Sequence, residues 1–208
     1  MKGPSKTIYR ELKDIVAPEH TALVVWDVQN ALVNMVFNRE EFLASLKALI
    51  SAARAKGVPV VYSKITPLPP QWDSPWRLYM NMRRFNVDDP AKLPAFLQPG
   101  TPESEIHADA RPQPEDMVLN KHTASMFVGT HFENLMRNHG IDTLLFTGIA
   151  TEIGVDSSAR DAANRGFYTV VVEDCSSSGD KEMHSLSLKT LGRICLVMPS
   201  IDIIKAWQ

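Results

Sequence analysis

Short apolar runs alternate along this chain with stretches whose apolar residues recur every three to four positions. TALVVW (21–26) is almost wholly apolar and stops at Asp27, the pattern of a strand buried on both faces. In the next segment, 40–57, Phe42, Leu43, Leu46, Leu49 and Ile50 follow helical spacing, and Gly57 suits the cap that ends it. VPVVYS (58–63), MVLNK (117–121), TLLFTG (143–148), FYTVVVED (167–174) and RICLVM (193–198) read as further strands. Helical patterns cover 131–140, 151–166, 180–192 and 200–207. Strands separated by helices of this length predict βαβ units, hence an α/β domain with a parallel sheet and right-handed crossovers. Such a sheet places its ligand beyond the carboxyl ends of its strands.

Segment 64–116 breaks this rhythm. It holds most of the fourteen prolines, together with Trp72, Trp76, Arg77, Arg83 and Arg84. An insertion of this length predicts a substrate-covering lid or an oligomer contact.

Composition narrows the function classes. The chain has 208 residues, 44% of them apolar and 22% charged, enough for a single domain with a sizeable core. A net charge of −2 with no block of Lys and Arg argues against a nucleic-acid partner. No apolar run nears the ~20 residues of a membrane span, and MKGPSKTIYRELKD lacks the apolar core of a signal peptide. Two cysteines, Cys175 and Cys195, make no disulfide framework, so a cytoplasmic enzyme or binding protein is expected. Its six histidines show no metal-ligand spacing, and no phosphate-binding glycine motif occurs. The expectation is therefore no metal, no cofactor and a small-molecule partner.

Candidate chemistry gathers at the predicted strand ends. Asp27 ends the first strand, Lys121 ends the third, and the turn Gly148–Gly154 follows the fourth. If those strands share a sheet, a carboxylate, an ammonium and a tight backbone turn converge at one edge. Burial pushes both charged groups toward neutrality while their attraction opposes it, the balance a proton-transferring pair uses. A loop-capping Asp held by a stabilising Lys is the alternative. Other residues are open in the same way. His122 is a substrate contact or a satisfied histidine. Arg77 and Arg83 grip a substrate carboxylate, solvate the surface or make subunit contacts. Trp72, Trp76 and Phe127 wall a pocket or fill a core, and Met80 and Met82 suit a core or an interface. Gln29 and Asn30 fix the Asp27 carboxylate or cap the following helix.

The blocks TALVVWDVQNALV, PGTPESEIHADARPQPEDMVLNKHTASMF and GIATEIGVDSSARDAANRGFYTVVVEDCSS resemble, in order and spacing, the isochorismatase-like hydrolase (cysteine hydrolase) superfamily. The resemblance runs from about residue 20 to the end. It implies a three-layer αβα, Rossmann-like domain with a six-stranded parallel sheet, and a homodimer or larger assembly. It also implies an active site of Asp27, Lys121 and the turn, with a non-proline cis peptide between Ile149 and Ala150. Backbone N–H groups of Ile149, Ala150 and Gly154 would then face a developing oxyanion.

Most members of that superfamily carry a nucleophilic cysteine where this chain has Gly154. Cys175 follows the fifth strand and Cys195 lies in the sixth, so neither replaces it. True isochorismatases also have glycine there and cleave a vinyl ether. The resemblance thus implies Asp27 as general acid, Lys121 orienting it, and room at Gly154 for direct attack by water. The chain departs from those enzymes at Ala150, at Glu152 and, after the second strand, at Ile65. Glu152 is a base for water, a substrate contact, or an acidic residue suited to the first helical turn. Hydrolysis of a C–N bond by activated water, and binding without catalysis, are the competing functions.

Overall fold

A computed structural model describes residues 8–208. Helix α1 (Leu12–Ile15) leads into β1 (Thr21–Trp26), whose six residues are all buried. Helices α2 (Asn30–Val33) and α3 (Arg39–Ala55) follow, then β2 (Val60–Ile65). After the insertion, with its helix α4 (Pro75–Phe85), come β3 (Met117–Lys121), α5 (Phe132–Asn138) and β4 (Thr143–Ile149). A tight π-type turn, Thr151–Val155, runs into α6 (Asp156–Asn164). The chain ends with β5 (Tyr168–Ser177), α7 (Lys181–Leu191), β6 (Leu196–Met198) and α8 (Ser200–Ala206).

All six strands pair in parallel, in the order β3-β2-β1-β4-β5-β6. The predicted single-domain α/β architecture is the observed one. Alternation along β1 divides the core into two layers. Leu23 and Val25 pack with Phe42, Leu46 and Leu49 of α3 and with Ile203 of α8. Ala22, Val24 and Trp26 face the other way, toward Phe132 and Met136 of α5 and Val155, Ala159 and Ala162 around α6. That parity sends the Trp26 indole toward the turn that opens α6.

Several boundaries differ from the pattern reading. Strand β2 begins after Pro59, which has no N–H to donate, and continues to Ile65 because Ile65 pairs with Lys121. Strand β5 reaches Ser177 through a register shift opposite Phe146–Gly148, so its polar end SS still pairs. Gly148 sits at φ +117, and a Cβ there would lie 2.0 Å from the Trp26 carbonyl oxygen. Only glycine lets β4 approach β1 at that point.

The insertion is more ordered than its prolines suggest. Pro75 starts α4 at a position where the missing N–H costs nothing, and the Ser74 hydroxyl accepts from the Arg77 N–H at 3.1 Å. Short 3₁₀ turns also open on Pro70, Pro90 and Pro102. Among the described residues, no helix is long and apolar enough to cross a membrane.

Candidate active site

The sheet order reverses between β1 and β4, so the crevice at their carboxyl ends is where such a fold takes its ligand. Asp27 is the first residue beyond β1 and stands at φ +48, in the left-handed region that Asp tolerates better than most residues. Its Oδ1 accepts from Ser63 Oγ at 2.5 Å, and its Oδ2 accepts from Lys121 Nζ at 2.7 Å. Ser63 Oγ in turn accepts from the Asp27 N–H at 3.1 Å. Both members of the ion pair are buried. Burial raises the Asp27 pKa above the ordinary carboxylate value, against the pull of Lys121. Burial lowers the Lys121 pKa, against the pull of Asp27. Each group is thus drawn toward its neutral form, and their mutual attraction opposes that drift.

The ammonium has two further partners. Nζ donates to the Thr123 carbonyl at 3.1 Å and lies 3.5 Å from the centre of the Trp26 ring. The far edge of the same indole fills the space beside Gly154. A Cβ at position 154 would sit 1.9 Å from Trp26 Cη2 and Cζ2. Gly154 is therefore bare because it receives the tryptophan, and the room expected there for water is taken. Its N–H donates to the Ala150 carbonyl at 3.0 Å, as do the N–H groups of Ile153 and Val155 at 3.2 and 3.3 Å. This engages the Gly154 N–H within the turn and removes it from the expected oxyanion set. The peptide between Ile149 and Ala150 is cis.

A cavity of about 640 Å³ opens above this floor. Trp26, Asp27, Ile149, Ala150 and Ile153 line its base, His122 and Thr123 one side, and Arg77, Met80, Arg83, Arg84, Phe96 and Leu97 of the insertion its cover. His122 Nδ1 lies 2.6 Å from the Thr66 carbonyl. Arg77 donates to Asp73 at 2.9 Å and to the His122 carbonyl. Neither cysteine lines the cavity. Burial pushes the Cys175 thiol well above its ordinary pKa and the Cys195 thiol up to about 11, so neither is a thiolate near neutrality.

Comparison with known proteins places this arrangement. The isochorismatase domain model matches residues 21–201. The chain belongs to the isochorismatase family. A ureidoacrylate amidohydrolase RutB from Pantoea ananatis is 30% identical over 185 residues, covering 79% of this chain and 72% of that protein. An isochorismatase family protein from Burkholderia thailandensis superposes with a TM-score of 0.74 at 27% identity, covering 91% of this chain and 96% of its own. N-carbamoylsarcosine amidase from Thermoplasma acidophilum gives a TM-score of 0.67 at 28% identity, covering 87% and 96%. The chain is an isochorismatase-family hydrolase.

Within that family frame, Asp27, Lys121, Ile149, Ala150, His122, Arg77 and Arg83 meet at or beside one cavity. Three other candidates do not. Glu152 turns toward the loop between β5 and α7, where its Oε1 accepts from Ser178 Oγ at 2.7 Å while Oε2 is buried without a partner among the described residues. One residue on, Ile153 faces the cavity instead. Trp72 is 76% exposed in a surface turn. Phe127 packs on Phe132 and Phe167 in the layer behind the sheet, 5.0 and 6.0 Å between ring centres.

Gln29 and Asn30 also act elsewhere. Gln29 bonds Ile65 and the Ser104 carbonyl, and Asn30 bonds the Pro102 carbonyl, so both tether the insertion and neither touches the Asp27 carboxylate or caps α2. Met80 lines the cavity where a core or interface place was expected. Reading the sequence missed Trp26, Ser63 and Arg84. The first two lie in apolar strands that read as core, and their role follows only from strand pairing.

Behind the turn, Thr151 Oγ1 lies 2.8 Å from His184 Nδ1, and burial lowers the His184 pKa from its ordinary 6.5 while Glu152 opposes the shift. An unfolded chain then takes up a proton that the native state resists. Stability is full above the ordinary histidine value and is lost as pH falls below it. The urea midpoint is expected to drop between about pH 7.5 and about pH 5.5, with a smaller drop in His184→Gln. An equal drop in both proteins would show that another group titrates.

Proposed function

We propose that this chain hydrolyses a small carboxylate-bearing molecule by proton donation from Asp27 and direct addition of water, without a covalent intermediate. One observation carries the reading: Asp27, buried and paired with Lys121, lines the cavity, whereas no cysteine does. Acid-promoted cleavage of a vinyl ether suits such a site. Asp27 gives its proton to the terminal carbon of the enol ether, leaving an oxocarbenium ion. Water adds to that cation, and the hemiketal collapses to a ketone and an alcohol. The proton released by the added water returns to Asp27. Lys121 stays paired throughout and stabilises the carboxylate while it is charged.

Water has to approach from the cavity, past Ile149 and Ala150, since the indole occupies the opposite side. The guanidinium group of Arg83 supplies charge for a substrate carboxylate, and Arg77, held by Asp73, and His122 border the same space.

A second reading is hydrolysis of a C–N bond in a ureido acid. It is favoured by the relatives, one named for ureidoacrylate and one for N-carbamoylsarcosine. A turnover screen of enol-ether acids beside ureido and carbamoyl acids separates the two. Release of a ketone from the enol ethers supports the first, and release of ammonia supports the second. No turnover of either class would reduce the protein to a binding homologue. Activity on the working substrate is expected to survive alkylation with iodoacetamide essentially unchanged. Inactivation in step with the labelling of one cysteine would overturn the thiol-free reading. The exposure of Trp72 and Trp76, 76% and 68%, supports self-association through the insertion, which light scattering tests directly.

A further inference from the structure

Helix α4 crosses the cavity with Arg77, Met80, Asn81 and Arg84 all lining it, the i, i+3, i+4, i+7 positions of one face. Arg83 lines it from beside that face. The charges along this face are unevenly matched. Arg77 is paired with Asp73, and Asp27, which also lines the cavity, is paired with Lys121. Arg83 and Arg84 form no ion pair among the described residues. Two guanidinium groups thus remain uncompensated at one end of the cavity.

The other end is fixed by Arg77, which donates to the His122 carbonyl next to Lys121. Seven residues of helix separate Arg77 from Arg84, about 10 Å along the axis at 1.5 Å per residue. Apart from Asn81, the helix face and the insertion line the same cavity with the apolar Met80, Phe96 and Leu97, and Ile65 and Leu32 add to that lining. Such a space discriminates by length as well as by charge.

We propose that the substrate is an elongated acid. Its anionic group is held by Arg83 and Arg84, its apolar body lies against Met80, Phe96 and Leu97, and its scissile bond reaches Asp27. The inference rests on the reading that hydrolysis takes place at Asp27, but its test needs no turnover. Calorimetry with phenylacetate, 4-phenylbutyrate, 6-phenylhexanoate and the neutral 6-phenylhexanol measures length and charge separately.

Affinity is expected to rise along the acids, with 6-phenylhexanoate about tenfold or more tighter than the alcohol. Arg83→Met and Arg84→Met each lower the affinity for 6-phenylhexanoate about tenfold, and the double variant binds the acid no better than the alcohol. Both side chains are exposed, so these variants keep the fold. Equal binding of acid and alcohol, equal binding by the double variant, or no binding of any acid at millimolar concentration would overturn the proposal. Tight, arginine-dependent binding together with full turnover by Asp27→Asn would keep the recognition of an elongated acid by Arg83 and Arg84 and remove the placement of its scissile bond at Asp27.

Discussion

Asp27→Asn is expected to lower turnover by about 10²–10⁴-fold, the range that a positioned general acid contributes. The amide keeps the shape and most of the hydrogen bonding of the carboxylate but has no proton to give. Its second effect is on the fold. Lys121 has no exposed side-chain surface, and among the described residues its charge is matched by Asp27 alone. Removing one partner of a buried pair costs about 3–5 kcal/mol unless the survivor loses its charge. Here burial already lowers the Lys121 pKa, so the lysine in the variant is expected to be neutral and the loss of stability correspondingly smaller.

The combined variant Asp27→Asn with Lys121→Met separates the two effects. With both charges gone, stability returns toward wild type, because replacing a whole buried pair by neutral groups is often neutral or favourable. Activity stays at the single-variant level. Measured together, urea midpoints and turnover then assign the loss to chemistry. Wild-type turnover in a folded Asp27→Asn protein would remove the carboxylate from the reaction.

Much of this site was legible in the residue pattern because parallel sheets are buried on both faces. That burial makes their strands stand out as apolar runs, and the residue at which a run stops is the one presented at the ligand-binding edge. Asp27 is such a residue, whereas Lys121 closes the edge strand MVLNK, whose first residues are exposed, and is placed by the pairing of that strand with β2. Helix α4 was not legible, since its sequence, PWRLYMNMRRF, lies in a proline-rich insertion and buries none of its side chains in the core. Its boundaries come from a proline start, a serine cap and a left-handed Asn86.

The error at Gly154 has a different origin. A glycine in sequence is an absence, and nothing local tells whether the vacated volume belongs to solvent, to substrate or to a neighbour. The deciding residue, Trp26, is far away in sequence and joined to this turn only through the β1–β4 register, which pairs Trp26 with Gly148. Glu152 was misplaced for a related reason. The turn that carries it begins with π-type winding, so the rotation of each side chain could not be counted from an ideal helix.

Gly154→Cys is expected to destabilise the protein and to leave it without thiol chemistry. The sign of the stability change is informative. The backbone at 154 is not in the left-handed region, so exchange of a glycine in a helical turn would by propensity alone raise stability by a few tenths of a kcal/mol. The steric effect is opposite and larger. A Cβ 1.9 Å from the indole must displace a buried ring that also faces the Lys121 ammonium at 3.5 Å, and overpacking of this kind costs about 1–3 kcal/mol. Trp26→Val creates the space that the new side chain needs, at the cost of the cavity left by the indole. In that background Gly154→Cys refills part of the hole, so the two substitutions together are less damaging than their sum by about 1–3 kcal/mol. The thiol of the double variant is then open to the cavity and reacts with iodoacetamide, whereas in Gly154→Cys alone it is shielded by the ring. Four urea titrations and two labelling rates complete the cycle. Additive stabilities, or a Gly154→Cys protein as stable as wild type, would mean that the indole does not occupy the space beside Gly154 and that this space belongs to water after all.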